Sequence, residues 1–494
     1  MPKYILAIDQ GTTSSRTIIY NKNFEVIQAQ QKEFKQIYPE SGWVEHDPEM
    51  IWETQLETVK LALKESKISV ADISGIGITN QRETTIVWNR KTGKPIHNAI
   101  VWQDRRTASY CKTIIEKGHE TLISDKTGLV VDAYFSATKI RWILDNVAGA
   151  KTLASAGELA FGTVDSWLIW KLTNGKKHIT DVSNASRTML FNIETLQWDE
   201  ELLVLFDIPK SMLPEVVASS GELAVTDESI LGISVPITGI AGDQQSALFG
   251  QLCTESGMAK STYGTGSFLM LNTGSKILKS RHKMLSTVAW KIGDKVCYAL
   301  EGSVFIGGAV IQWLRDEMEF FVEAADSQTL AEAADDNGGI YFVPALTGLG
   351  APYWDPNARG AIFGINRGTT KAHLTRAALE SICFQVNDVL DAMSQDLDSE
   401  ITELRVDGGA AANELLLQFQ SDISKVNVLK PTQLETTALG VAFLASIGAG
   451  QNTVESLKNK WTLSKQFQPE MDGKRVAVLR SRWNEAVKRS LGWN

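Results

Sequence analysis

Cysteine is scarce in this chain and scattered along it. The four residues, Cys111, Cys253, Cys297 and Cys383, form no CxxC pair, which argues against a disulfide framework or a zinc site and predicts buried thiols. None of the six histidines is paired at a metal-like spacing, so all are read as structural. No long basic run interrupts a composition of 49 basic and 58 acidic residues, net charge −9, so nucleic-acid binding has little electrostatic support. Small-molecule chemistry is expected instead. No apolar run approaches the ~20 residues of a membrane span, and Met1-Pro2-Lys3-Tyr4 enters an apolar run without a signal-peptide layout. No membrane insertion is therefore expected, with the cytoplasm as default compartment. A P-loop is missing as well, because the Gly-Lys pairs at residues 93, 175 and 473 lack a glycine five positions earlier.

What the chain does have is length and a repeated motif. At 494 residues and 43% apolar content it exceeds the size of a single core, and two domains are expected. The most informative segment is Asp9-Gln10-Gly11-Thr12-Thr13-Ser14-Ser15-Arg16, which lies between strand-like runs Tyr4 to Ile8 and Thr17 to Tyr20. As a hairpin tip it offers an anion close backbone approach at Gly11, hydroxyl and N–H donors, and the charge of Arg16. Asp9 adds a carboxylate able to hold Mg²⁺ against phosphate oxygens. An ordinary polar turn is the alternative.

The pattern returns halfway along. Met258 to Tyr263, Gly264-Thr265-Gly266-Ser267 and Phe268 to Leu271 again read as strand, Gly-Thr turn, strand, which suggests a duplicated α/β architecture. The boundary is placed within residues 250–256, giving domains 1–252 and 253–494. Ile76 to Thr79 and Leu404 to Val406 read as strands, and Ile51 to Leu63, Thr138 to Asn146 and Thr375 to Met393 as helices. Leu415, Phe419 and Ile423 line up on one further helix face.

Three more clusters sit where a strand gives way to a polar loop, the usual place for ligands in α/β folds. Ile237 to Gln245 puts Asp243 at a helix N-terminus, whose dipole favours an ionised carboxylate suited to accepting a proton; a plain N-cap is the competing reading. Asp407 to Asn413 and Gly302 to Gln312 present small residues against which a purine or phosphate could lie, or which could simply pack tightly. From the residues alone adjacent Arg82 and Glu83 read first as a solvated pair after a strand, and Trp102, Tyr134 and Phe268 read equally as core aromatics.

Several longer stretches together carry a family resemblance. Gly42 to Pro48, Ile78 to Thr84, Tyr134 to Asn146, Gly239 to Gln251, Gly348 to Asp355 and Gly360 to Glu380 resemble the glycerol kinases of the FGGY carbohydrate kinase family. The likeness spans essentially the whole chain. It implies two actin-like domains of the ribonuclease H type with an active site in the interdomain cleft, and ATP-dependent phosphorylation of glycerol to sn-glycerol 3-phosphate, the first step of glycerol catabolism. By the same resemblance Thr12, Thr13, Ser14 and Arg16 would meet ATP phosphates from one side, and Thr265 and Gly266 from the other. Gly308, Gln312, Gly409 and Asn413 would surround adenosine, and Asp9 would hold the Mg²⁺ shell. Arg82, Glu83, Tyr134 and Asp243 would bond glycerol, with Gln244 close by, Trp102 and Phe268 over its carbon edge, and Asp243 as general base. A homo-oligomer, dimer or tetramer, is implied too.

Two rivals remain at this level: a kinase for another polyol or ketose of the family, such as xylulose, and an actin-like or chaperone-like ATPase transferring phosphate only to water. Regulation also departs from known relatives. Enteric glycerol kinases bind fructose 1,6-bisphosphate on an Arg-containing loop, but the matching Ser219 to Pro236 has no Lys or Arg and includes Asp227 and Glu228. Control by a phosphorylated histidine in that neighbourhood is equally doubtful, since no histidine occurs between His178 and His282.

Overall fold

In the computed structural model, which describes residues 3–493, one pattern of five strands is built twice. Met1 and Pro2, part of the leader reading, lie outside the described residues. The first set is β1 (Tyr4–Gln10), β2 (Ser14–Tyr20), β3 (Val26–Glu33), β4 (Ile73–Asn80) and β5 (Pro236–Gly242), in spatial order β3-β2-β1-β4-β5. β1 pairs antiparallel with β2, and β2 with β3, whereas β1 with β4 and β4 with β5 are parallel. The second set is β6 (Ala259–Tyr263), β7 (Ser267–Gly274), β8 (Lys295–Val304), β9 (Glu403–Asp407) and β10 (Asn427–Pro431). Its order, β8-β7-β6-β9-β10, and its pairing directions repeat the first set. Strands Ser220–Val225 and Leu285–Ile292 join the two sets into one continuous sheet.

Period-two side-chain alternation between two buried faces explains why β1 is apolar from Tyr4 to Ile8. Leu6 and Ile8 face a cluster holding Ile51, Val59 and Leu63 of α1 (Pro48–Ser66). Ile5 and Ala7 face the opposite cluster, where Val441 and Ala445 of the helix Thr436–Gly448 are buried. That helix belongs to the second half of the chain yet packs against β1, β4 and β5 of the first. The helix 243–250, which follows β5, crosses it closely. A Cβ added at Gly440 would meet the Ser246 carbonyl at 1.8 Å, and one at Gly250 the Thr436 carbonyl at 2.0 Å, so backbone meets backbone.

The helices expected at Ile51 to Leu63, Thr138 to Asn146 and Thr375 to Met393 are present and longer, as Pro48–Ser66, Ser136–Asn146 and Lys371–Leu397. Local capping sets two of the starts: Asp47 accepts from the Glu49 N–H, and Thr370 forms a capping box with His373. All four cysteines are buried free thiols. No described helix is long and apolar enough to cross a membrane.

Because the crossing at Gly440 leaves no room for a methyl group, Gly440→Ala is expected to destabilise the fold by about 1–3 kcal/mol, as overpacked cores do. Urea denaturation measures this, and an unchanged midpoint would mean that the two helices can slide apart.

Candidate active site

Pairing in the first hairpin extends further than the sequence pattern indicates. Asp9 and Gln10 end β1, and Ser14 to Arg16 begin β2, so the irregular tip is only Gly11 to Thr13 rather than residues 9 to 16. Cross-strand pairing of Asp9 with Arg16 and of Gln10 with Ser15 satisfies that backbone and sets the two charged residues side by side. Thr12 Oγ1 accepts from Trp102 Nε1 at 2.9 Å, Ser14 Oγ accepts from Gln31 Nε2 at 3.0 Å, and Thr13 is exposed. Arg16 pairs with Glu435, immediately before the helix Thr436–Gly448. Burial pushes the Asp9 carboxyl up to about 7; Arg16 opposes the shift, and Asp243 and Glu435 add to it.

Deeper in, β4 and β5 deliver a cluster of charges almost sealed from water. Arg82 and Glu83 are 2% and 1% exposed, which removes the solvated-pair reading. Arg82 donates from Nη1 to Gln245 Oε1 at 3.1 Å and to Glu301, and from Nη2 to Glu301 Oε1 at 2.9 Å and Tyr134 Oη at 3.3 Å. Its remaining nitrogen, Nε, lies 3.0 Å from Asp243 Oδ1. Glu83 is held by Arg187 Nε at 2.6 Å rather than by its neighbour Arg82, and its φ of +59° is a left-handed conformation costly for a non-glycine residue. Arg187 also reaches Glu301 Oε1, at 2.9 Å. Burial acts to raise the Glu301 carboxyl, but Arg187 and Arg82 outweigh it and hold the group down to about 2.

Asp243 opens a helix, as expected, although Gly242 rather than Asp243 occupies the N-cap. Its carboxyl moves opposite to the helix-dipole expectation. Burial raises it, and the Arg82 charge and the Gln244 N–H only partly oppose this, with Glu301 adding and Lys260 subtracting. Gln244 Oε1 accepts from Lys260 Nζ at 2.5 Å; the same ammonium donates to Thr262 Oγ1 at 2.8 Å and the Phe268 carbonyl at 3.3 Å. Trp102 stands edge-on to Tyr134 at 5.6 Å and to Phe268 at 6.2 Å, so one indole touches the first hairpin, the charge cluster and the strand after the second turn.

The remaining picks gather around the second turn. The N–H groups of Gly307 and Gly308 donate to the carbonyls of Thr265 and Gly264, both at 2.8 Å, which locks Gly264 to Gly266 against the start of the helix Ala309–Asp316. Thr265 itself is exposed. A Cβ on Gly308 would sit 2.8 Å from the Gly264 carbonyl, and Gln312 is exposed on the helix that follows. Gly408, at φ +88°, lies against Tyr263 and turns the chain into Gly409, around which space is open. Asn413 caps the helix Glu414–Ser424 through the Leu416 N–H at 3.0 Å.

Sequence reasoning missed Glu301, Arg187, Lys260, Gln245 and Glu435. A lone carboxylate inside the apolar strand Tyr298-Ala299-Leu300-Glu301 and a lone ammonium beginning Lys260-Ser261-Thr262 were available signals. Arg187 carried none, because only the fold brings its guanidinium to Glu83.

The arrangement sets a partly exposed carboxylate, a buried cluster of charges and two Gly-Thr turns close together. The model of the FGGY family of carbohydrate kinases, N-terminal domain, matches residues 4–250, and that of its C-terminal domain matches residues 259–449. The chain is 58% identical over 492 residues to the glycerol kinase of Parabacteroides distasonis, covering 99% of each protein. It is 55% identical to glycerol kinase 2 of Thermotoga maritima, again covering 99% of each. Among solved structures, Plasmodium falciparum glycerol kinase with ADP superposes with a TM-score of 0.92 at 37% identity, covering 99% of this chain and 98% of that one. Xylulose kinase from Lactobacillus acidophilus shares the fold, with a TM-score of 0.87 at 24% identity and 99% coverage of both chains.

Lys139 holds the backbone of Tyr134 in place, donating from a fully buried Nζ to the carbonyls of Tyr134 at 2.5 Å and Phe135 at 3.3 Å. Burial lowers its ammonium from 10.5 to about 8. Between those values the unfolded chain holds more protons at this position than the folded chain, so the penalty fades as pH rises through the window. The stability of the wild type relative to Lys139→Met, from urea denaturation, is therefore expected to rise between pH 8 and pH 10.5. A constant difference would show that this ammonium is not held at the cost of its charge.

Proposed function

The chain belongs to the FGGY family of carbohydrate kinases, and on that premise we propose that it phosphorylates glycerol with ATP to give sn-glycerol 3-phosphate. Transfer is direct and in line, in a cleft between two actin-like domains, residues 1–252 and 253–494. One observation carries the choice of base. Asp243 keeps a side chain 31% exposed, while Glu83 and Glu301 in the same cluster are 1% and 0% exposed. It is thus the most accessible carboxylate of the cluster. Its raised affinity for a proton brings it nearer the operating pH, which helps a general base take the proton of the terminal hydroxyl.

A three-carbon triol has little apolar area, so selectivity must come from buried hydrogen bonds. Glu83 accepts from a hydroxyl through the carboxylate oxygen that Arg187 does not use. Arg82 reaches a hydroxyl through Nε or by exchanging its 3.3 Å contact to Tyr134, because its terminal nitrogens otherwise serve Glu301 and Gln245. Gln244 stands next to the base, Trp102 and Phe268 cover the carbon edge, and the indole excludes longer sugars.

Thr12, Thr13, Ser14 and Arg16 hold the phosphates from one side and Thr265 and Gly266 from the other, with Gly308, Gln312, Gly409 and Asn413 around the adenosine. A kinase of this kind works with a divalent metal, and Asp9 is suited to hold Mg²⁺. Burial and the neighbouring Asp243 and Glu435 make its own proton hard to lose, a cost that a bound dication relieves. When bound, it neutralises charge on the transferring phosphoryl group. Domain closure excludes water, which would otherwise take the γ-phosphate. The same proposal places the enzyme in the cytoplasm, in keeping with four free thiols, and makes it a homo-oligomer, dimer or tetramer, as in the resemblance.

A coupled ATP assay over a polyol panel, with and without Mg²⁺, tests this reading. Turnover with glycerol and rejection of five-carbon substrates are expected, and ATP hydrolysis indifferent to any polyol would overturn it. Asp243→Asn is expected to lower kcat by about 10²–10⁴ with the KM for ATP nearly unchanged. Near-normal turnover in that variant would remove Asp243 from its role.

A further inference from the structure

Glu301 is a fully buried carboxylate gripped by two guanidiniums. It lies in the middle of β8, in the second half of the chain, with a side chain 0% exposed. Both its cationic partners come from the first half. Arg82 grips it from Nη1 and Nη2, and Arg187 adds a third contact at 2.9 Å, with Ser303 Oγ donating at 3.4 Å. Around them Arg82, Arg187 and Lys260 face Glu83, Glu301 and Asp243. Such a buried carboxylate is weak evidence for stability, because apolar side chains of the same volume often serve as well. Its geometry has a sharper consequence. A guanidinium gripped through both terminal nitrogens cannot rotate, and in this orientation Nε meets Asp243 Oδ1 at 3.0 Å while Nη2 meets the Tyr134 hydroxyl. Arg187, holding Glu83 with Nε and Glu301 with Nη2, aligns the other predicted glycerol ligand through the same carboxylate.

We propose that Glu301 is a positioning residue for the transfer: from the second half of the chain it fixes Arg82 directly, and Glu83 through Arg187, in the orientation that receives the polyol beside Asp243. The inference rests on the reading of the site as a polyol pocket. It also ties substrate binding to the relative placement of the two halves, because the grip on Arg82 exists only while β8 lies against the loop after β4.

Glu301→Gln keeps the shape and removes the charge. With glycerol and ATP varied separately, KM for glycerol is expected to rise by about 10–100-fold while KM for ATP stays within about twofold. Calorimetry with glycerol alone should show a matching loss of affinity without relying on turnover. Arg187→Lys keeps the charge but loses the fork joining Glu83 to Glu301, and should shift the KM for glycerol in the same direction. Glu301→Asp keeps the charge at a shorter reach and stands in if Glu301→Gln does not fold, with the same split expected. A lower melting temperature with unchanged KM for glycerol, in any of these variants that folds, would mean that Glu301 is scaffold and overturn the proposal. Wild-type protein that neither binds nor phosphorylates glycerol would instead remove the reading of the pocket on which it rests.

Discussion

A carboxylate with no access to water must be neutralised by its surroundings, and the site is organised around meeting that demand at Glu301. Desolvating an isolated ion costs several kcal/mol, so two guanidiniums are drawn into the interior with it. Those guanidiniums bring further carboxylates, Glu83 and Asp243, and the cluster closes with cations and anions in balance. Once the cluster is set, little freedom remains: Arg82, Glu83, Tyr134 and Asp243 are each held by a partner that is itself held.

The chain can build this cluster because the same five-strand pattern is used twice. In each set the two parallel strands beside the first hairpin end on the same side, and the loops leaving them converge. The hairpin of each copy supplies a Gly-Thr turn, and Trp102 spans from Thr12 to Phe268. The helix Thr436–Gly448 makes the arrangement firmer, since it rises from the loop carrying Glu435, the partner of Arg16, and seats itself on the strands of the first half. Glycines at the crossing bring the backbones of the two halves into contact.

Much of this was legible in the sequence where the signal is local. Gly-Thr turns between β-branched runs, helix caps, and the Asp243 position after a strand all depend on residues a few positions apart, so spacing reports them. The extent of the first hairpin was underestimated because Asp9 and Arg16 look like turn residues, yet cross-strand pairing keeps both in strands. The dipole argument for Asp243 pointed the wrong way for a related reason. A helix terminus acts locally, whereas the burial that dominates here, like the added charge of Glu301, is set by the tertiary fold.

The amino-acid order by itself determined the duplicated α/β plan, the two Gly-Thr turns, the scattered thiols and the family to which the chain is similar. All of these are written in short-range periodicity and in runs of residue types. Only the tertiary structure decided that Arg82 belongs to Glu301 rather than to Glu83, that Glu83 belongs to Arg187, and that Lys260 orients Gln244. Except for Lys260 and Gln244, these partners lie about a hundred residues or more apart. Which charges meet is set by sheet register and helix packing, long-range constraints that leave no periodic trace along the chain.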